Sequence, residues 1–175
     1  MRLFFITTLF VLSGFHLFGQ NEQAIERSGD VLMLALPGAA FASTFVWKDD
    51  QKAPIRVIET MVVSASTTYL LKYTTNKTRP NGEPYAFPSG HTSNAFAGAG
   101  IIYKRYGWKA GIPSMLLASY TGWTRVHANK HDWWDVLGGA LVGTGSALLF
   151  TKPYQKEQVL DVDLGLNSVY VRYRF

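Results

Sequence analysis

Apolar residues come in runs rather than at alternating positions over most of this chain, and the runs set its elements. After Asp30 comes "VLMLALPGAAFASTFVW" (31–47), seventeen residues without charge, ended by the polar, turn-forming break "KDDQKAP". Further apolar segments follow at "VVSASTTYLL" (62–71), "NAFAGAGIIY" (94–103), "AGIPSMLLASYTGW" (110–123) and "VLGGALVGTGSALLF" (136–150). Each is rich in Ala, Gly, Ser and Thr, which lets helices approach closely, and none clearly reaches the about twenty residues needed to span a bilayer upright. The pattern predicts an all-α fold, a compact bundle of five to six helices, either in a membrane or on one.

The two ends read differently. "QVLDVDLGLNSVYVRYRF" (158–175) alternates apolar and polar positions around "GLN", which predicts a small C-terminal β-hairpin. A lone hairpin is marginal in water, so it is expected to pack on the bundle or to dock on an envelope partner. At the other end Arg2 precedes the ten apolar-rich residues "LFFITTLFVL", and "SGFHLFG" follows. This is the pattern of an export signal, with cleavage expected after Gly19. Leu17 is larger than the residue normally found three positions before such a cut, which keeps an uncleaved anchor as the alternative. The expected organisation is therefore a signal peptide (1–19), a helical domain (20–157) and the hairpin (158–175), exported to the cell envelope as a periplasmic, membrane-associated protein.

Composition narrows the partners. The 175 residues suit one domain; 47% are hydrophobic and 17% charged, against roughly 25% charged in ordinary soluble domains, so the chain leans toward buried helices or lipid contact. The net charge of +5 favours anionic partners such as phosphate esters or anionic lipid surfaces. No basic stripe interleaved with aromatics occurs, which argues against nucleic acid. Cysteine is absent, excluding disulfides and thiolate chemistry.

Polar chemistry is concentrated in three stretches. In "AFPSGHTSNAFAG" (86–98), Pro88 disfavours helical geometry before it and Thr92 and Ser93 are candidate caps, so a helix is expected to start near Gly90 to Thr92. Free N–H groups at such a helix mouth form an anion site, and His91 adds a titratable donor. "KYTTNKTRP" places Lys72 at the end of an apolar helix and Arg79 just before Pro80. "TRVHANKHDWWD" supplies Arg125, His131 and Asp135, and helical i,i+4 spacing would let Asp135 accept a hydrogen bond from one nitrogen of His131. His127 lacks a carboxylate or cysteine to complete a metal site and reads as a helix-end or loop histidine. Trp133 and Trp134 are read as flanking the site at a lipid interface.

In this order and spacing the stretches resemble the type 2 phosphatidic acid phosphatase superfamily, which also contains the bacterial class A acid phosphatases and the vanadium-dependent haloperoxidases. That family carries a lysine, six residues and Arg-Pro; then Pro-Ser-Gly-His; then Ser-Arg, five residues, His, three residues and Asp. Lys72, Arg79-Pro80, Pro88-Ser89-Gly90-His91, Arg125, His131 and Asp135 match, and Thr124 replaces the usual serine while keeping a hydroxyl. The resemblance implies a metal-independent phosphatase without a cofactor. Lys72, Arg79, Ser89, Gly90 and Arg125 would bind the phosphate, His131 would be the nucleophile forming a phosphohistidine, Asp135 its orienting partner and His91 the acid for the leaving group. A lipid phosphate is the expected substrate class. A soluble periplasmic acid phosphatase of broad specificity and a non-enzymatic envelope interaction module are the alternatives. A haloperoxidase fits less well, since the chain is short and shows no separate halide pocket.

Overall fold

Small side chains decide which helix occupies the centre. The computed structural model describes residues 22–46, 50–154, 160–165 and 168–173, and its helices are α1 (Glu22–Val46), α2 (Ala53–Thr75), α3 (Gly90–Tyr106), α4 (Trp108–His127) and α5 (Trp133–Phe150). On α3, Ala95, Ala97, Gly98, Ala99, Gly100 and Ile101 are all buried. This helix packs most extensively on α5 and α4, then on α1 and α2. Two glycines set the closest approaches. A Cβ on Gly98 would lie 2.4 Å from the backbone nitrogen of Pro37 in α1, and one on Gly143 of α5 would lie 2.2 Å from the carbonyl oxygen of Ser93 in α3. Backbone-to-backbone contact of this kind needs glycine.

The bundle is apolar outside and small or polar inside. Thr60, Ser64, Thr68, Thr121, Thr124 and Ser146 are buried, whereas Leu34, Leu70, Leu116, Leu141 and Leu149 are each more than half exposed. α1 and α5 are long and apolar enough to cross a membrane. Trp133 and Trp134 are likewise exposed rather than part of the core.

Local signals account for the helix ends that matter. Pro54 opens α2, and Asn76 closes it in the left-handed conformation (φ 43°). Ser89 is the N-cap of α3, accepting a hydrogen bond from the Thr92 N–H at 3.4 Å. The cap is thus one turn earlier than Thr92 and Ser93, which were the sequence candidates: Thr92 is the donor, and its hydroxyl also lies 3.0 Å from Ser89 Oγ. Asp132 caps α5 in a reciprocal box with Asp135.

The expected fold class needs correction. Residues 22–154 form an all-helical fold of five helices, with no strand among the described residues of that range, and no hairpin is packed into it. The backbone of β1 (Leu160–Gly165) runs antiparallel to that of β2 (Ser168–Tyr173), with Leu160 opposite Tyr173 and Gly165 opposite Ser168, but no helix packs substantially on either segment. The reason lies in the bundle, where the small-residue faces are already closed by helix-to-helix contact. The proposed signal segment 1–19 and its cleavage point lie outside the described residues.

Candidate active site

α2 delivers Lys72 in its last turn, and the loop that follows folds back to the mouth of α3. Lys72 Nζ donates to the Tyr85 carbonyl at 2.7 Å. The loop is held by the Arg79 N–H on the Glu83 carbonyl and the Ala86 N–H on the Lys77 carbonyl, both at 2.7 Å. Arg79 Nη1 pairs with Glu83 Oε2 at 2.6 Å, while its buried Nε has no hydrogen-bond partner among the described residues. An orphaned guanidinium donor at this depth suits an anion supplied from outside.

His131 arrives from the opposite side. The chain turns after α4, where the Arg125 carbonyl accepts from the Lys130 N–H at 3.0 Å and the His131 N–H at 3.3 Å. His131 Nδ1 lies 3.3 Å from Asp135 Oδ2, as the spacing suggested, but the physical basis differs. His131 precedes α5, so the two residues do not share a helix face. The capping box, in which Asp135 Oδ2 also accepts from the Asp132 N–H at 3.1 Å, brings the carboxylate back to the imidazole. The Ser89 N–H donates to the Asp135 carbonyl at 2.9 Å, tying the mouth of α3 to the first turn of α5.

Lys72, Arg79, Gly90, His91 and His131 line one cavity of about 530 Å³, together with Met33, Tyr69, Tyr73 and Tyr85. Asp135 stands behind His131, fully buried. Ser89 and Arg125 are buried too, but do not line the cavity. Arg125 differs from the sequence expectation: its Nη1 is 2.8 Å from Asp30 Oδ1 and its Nη2 donates to the Glu26 carbonyl, so it faces α1. His127, in the last turn of α4, stacks on Trp123 with ring centroids 5.0 Å apart.

Two residues were missed from sequence. Lys77 Nζ lies 2.7 Å from Asp135 Oδ1 and also pairs with Asp132. Asp30 Oδ1 lies 3.0 Å from His91 Nε2. Lys77 sits inside the Lys72–Arg79 stretch and could have been weighed as a third cation; Asp30 carries no local signal, because its partners are 61 and 95 residues away (91 − 30 and 125 − 30).

Burial, reinforced by the charge of Lys72, pushes the His131 imidazole down to about 4, with Asp135 opposing. The ring is therefore neutral at pH 7, and with Nδ1 directed at Asp135 its Nε2 lone pair is available. Although burial works against both charges, Asp132 and Asp135 hold the Lys77 ammonium above the usual lysine range, and Lys77 holds the Asp132 carboxyl below its usual one. The arrangement is suited to receiving a dianionic group between Lys72 and Arg79, with one imidazole on hand to attack and another to move a proton.

Similarity to known proteins falls on this same part of the chain. Residues 81–158 match the sequence profile of the PAP2 superfamily. A "Lipid A 4'-phosphatase" of Helicobacter pylori (strain J99) is 44% identical over 71 residues, covering 41% of this chain and 36% of that protein. A "Lipid A 1-phosphatase" of Porphyromonas gingivalis is 40% identical over 76 residues, covering 41% of this chain and 17% of that protein. The matched stretch thus spans little more than a third of the first relative and under a fifth of the second. The fold is similar to the crystal structure of Aquifex aeolicus LpxE, with a TM-score of 0.64 and 19% identity, covering 79% of this chain and 92% of that one.

Proposed function

Because the chain belongs to the type 2 phosphatidic acid phosphatase (PAP2) superfamily, we propose that it hydrolyses the phosphate monoester of a membrane lipid through a phosphohistidine on His131. The observation that carries this reading is the convergence of Lys72, Arg79, His91 and His131 on one cavity, with Asp135 behind His131.

Lys72 and Arg79 hold the phosphoryl oxygens, and the free N–H groups at the start of α3, beginning with Gly90, complete the cradle. Ser89 fixes that helix mouth through its capping and its bond to Asp135. Arg125, the third cation expected at the phosphate, is paired with Asp30 behind the cavity. His131 Nε2 attacks phosphorus as the ester P–O bond breaks, and His91 gives its proton to the departing oxygen. His91 then takes a proton from water, whose oxygen attacks phosphorus; the P–N bond breaks, phosphate leaves and His131 is restored. Lys72, Arg79 and the N–H groups at the start of α3 supply the charge stabilisation, so this scheme calls for no metal.

The apolar exterior favours a lipid over a soluble ester, since an acid phosphatase free in water would expose a polar surface. The names of the two bacterial relatives make a lipid A-type phosphate the first substrate to test. The same exterior, with two helices long and apolar enough to cross a membrane, favours a location in the cell-envelope membrane.

The test is an assay of the full chain in detergent on lipid A, phosphatidate, phosphatidylglycerophosphate and nitrophenyl phosphate. Release of phosphate from at least one lipid, with kcat/KM about tenfold or more above the soluble ester, is expected. Turnover of the soluble ester alone would overturn the lipid reading, and absence of acid-labile phosphate on His131 after quenching would overturn the intermediate.

A further inference from the structure

The geometry points to Asp30 as a positioning residue for His91, a carboxylate on α1 that holds the leaving-group acid from behind as Asp135 holds His131. The inference rests on the phosphatase reading above and adds a residue that lies far outside the matched sequence motifs.

His91 lines the cavity and Asp30 does not, so the carboxylate stands on the far side of the ring from the substrate. The contact at His91 Nε2 leaves Nδ1 for the substrate. Asp30 is itself fixed, because the same Oδ1 receives Arg125 Nη1 at 2.8 Å. Arg125 in turn is buried, with Nε on Thr124 Oγ1 at 3.1 Å and Nη2 on the Glu26 carbonyl. The neighbouring glycine makes this possible: a Cβ on Gly29 would lie 2.1 Å from Thr124 Oγ1 and 2.7 Å from Arg125 Nη2, so only glycine lets α1 come this close.

Charge gives the contact its purpose. A general acid must carry its proton when the substrate arrives. Burial, then Arg125, and more weakly Lys130 work against a proton on His91, and Lys72 and Arg79 face it across the cavity. Glu26 is occupied by Lys130, which leaves Asp30 as the carboxylate that opposes these cations at the ring. In the step itself the Nδ1 proton passes to the leaving oxygen as the P–O bond breaks, while Asp30 keeps the Nε2–H hydrogen bond and takes up no proton. The site then contains two His–Asp pairs with different tasks: Asp135 aims a nucleophile that burial and Lys72 keep neutral, and Asp30 aims an acid whose proton burial and Arg125 disfavour, and works against that loss.

The test compares Asp30→Ala and Asp30→Asn, alone and combined with His91→Ala, in the full chain in detergent, on phosphatidate and on nitrophenyl phosphate. Asp30→Ala should lower kcat on the alkyl ester about 10- to 100-fold, leave KM within about threefold, and spare the first step on nitrophenyl phosphate, whose leaving group needs little protonation. The double variant should be no slower than His91→Ala. Equal losses on both esters, a rise in KM alone, or losses that multiply with His91→Ala would overturn the proposal. Should Asp30→Ala fail to fold, the isosteric Asp30→Asn answers the same questions. Histidine ¹⁵N NMR gives a readout independent of turnover: His91 should titrate at lower pH in Asp30→Asn, and an unchanged midpoint would overturn the pairing. Wild-type protein inactive on every ester would instead defeat the proposed function while the NMR result still stood.

Discussion

Lys77 Nζ lies 2.7 Å from Asp135 Oδ1, the carboxylate oxygen opposite the one that faces His131. The pair joins the loop after α2 to the first turn of α5 across the floor of the site, and it gives a fully buried carboxylate a counter-charge. Lys77→Met should therefore cost stability, by about 1–2 kcal/mol after allowing for the partial exposure of the lysine. Turnover should fall as well, because the capping box is then left to hold Asp135 on His131 without the counter-charge. Lys77→Arg should restore most of both. Thermal unfolding in detergent and steady-state kinetics check this; a Lys77→Met protein as stable and active as wild type would show that the capping box alone holds Asp135.

The two cavity histidines should separate by leaving group. His131→Ala is expected to abolish turnover of every ester, whereas His91→Ala should cost roughly 10² to 10⁴-fold on an alkyl phosphate, the usual range for general acid catalysis. On nitrophenyl phosphate the His91→Ala enzyme should show a burst of product followed by accumulated phosphoenzyme, since water activation is also lost. Rapid-quench kinetics measure both. If the sensitivity to leaving group followed His131 instead, the roles assigned here would be reversed.

The pH dependence should carry the mark of a histidine kept neutral by burial. With the folded value of His131 pushed down to about 4, the nucleophile stays unprotonated well into acid, and its acid limb in kcat/KM should fall near pH 4 rather than near about 6.5. Stability follows the same sign. Between about 6.5 and 4 the unfolded chain binds the proton and the native one does not, so the contribution is complete above about pH 6.5 and is lost as pH falls toward 4. The difference in melting temperature between wild type and His131→Asn, followed from pH 7 to 4, should shrink or reverse; a constant difference would contradict the buried neutral ring.

The seam between α3 and α5 should be intolerant of a single methyl group. Gly143→Ala sets a Cβ 2.2 Å from the Ser93 carbonyl oxygen and 2.7 Å from the Ala97 nitrogen, both rigid backbone, and should destabilise by about 1–3 kcal/mol while lowering activity, because α3 and α5 carry the two halves of the site. Gly145→Ala meets nothing within 4 Å and should be neutral or slightly stabilising. Similar melting temperatures for the two variants would mean that the helices separate freely.

Much of the site was legible in the sequence because its parts are local. The spacing from Lys72 to Arg79, the run Pro88 to His91 and the pair His131 and Asp135 each lie within a single turn or loop, where nearest-neighbour chemistry dictates geometry. The helices were legible in the same way, as apolar runs closed by turn residues, and so was the preference for small residues that permits close packing. What depended on tertiary structure was everything set by which faces meet. Sequence could not place Ser89 rather than Thr92 as the cap of α3, nor show that His131 reaches Asp135 through a capping box instead of along a helix face. It could not turn Arg125 toward Asp30, show that Lys77 reaches Asp135, or reveal that the helical bundle closes without the C-terminal strands. The cap and the capping box are local, but several local geometries fit the same residues until the Ser89 N–H bond to the Asp135 carbonyl ties the two helix mouths. The other outcomes rest on contacts between residues distant in the chain, and a charge finds its partner only once packing has brought the two segments that carry them together.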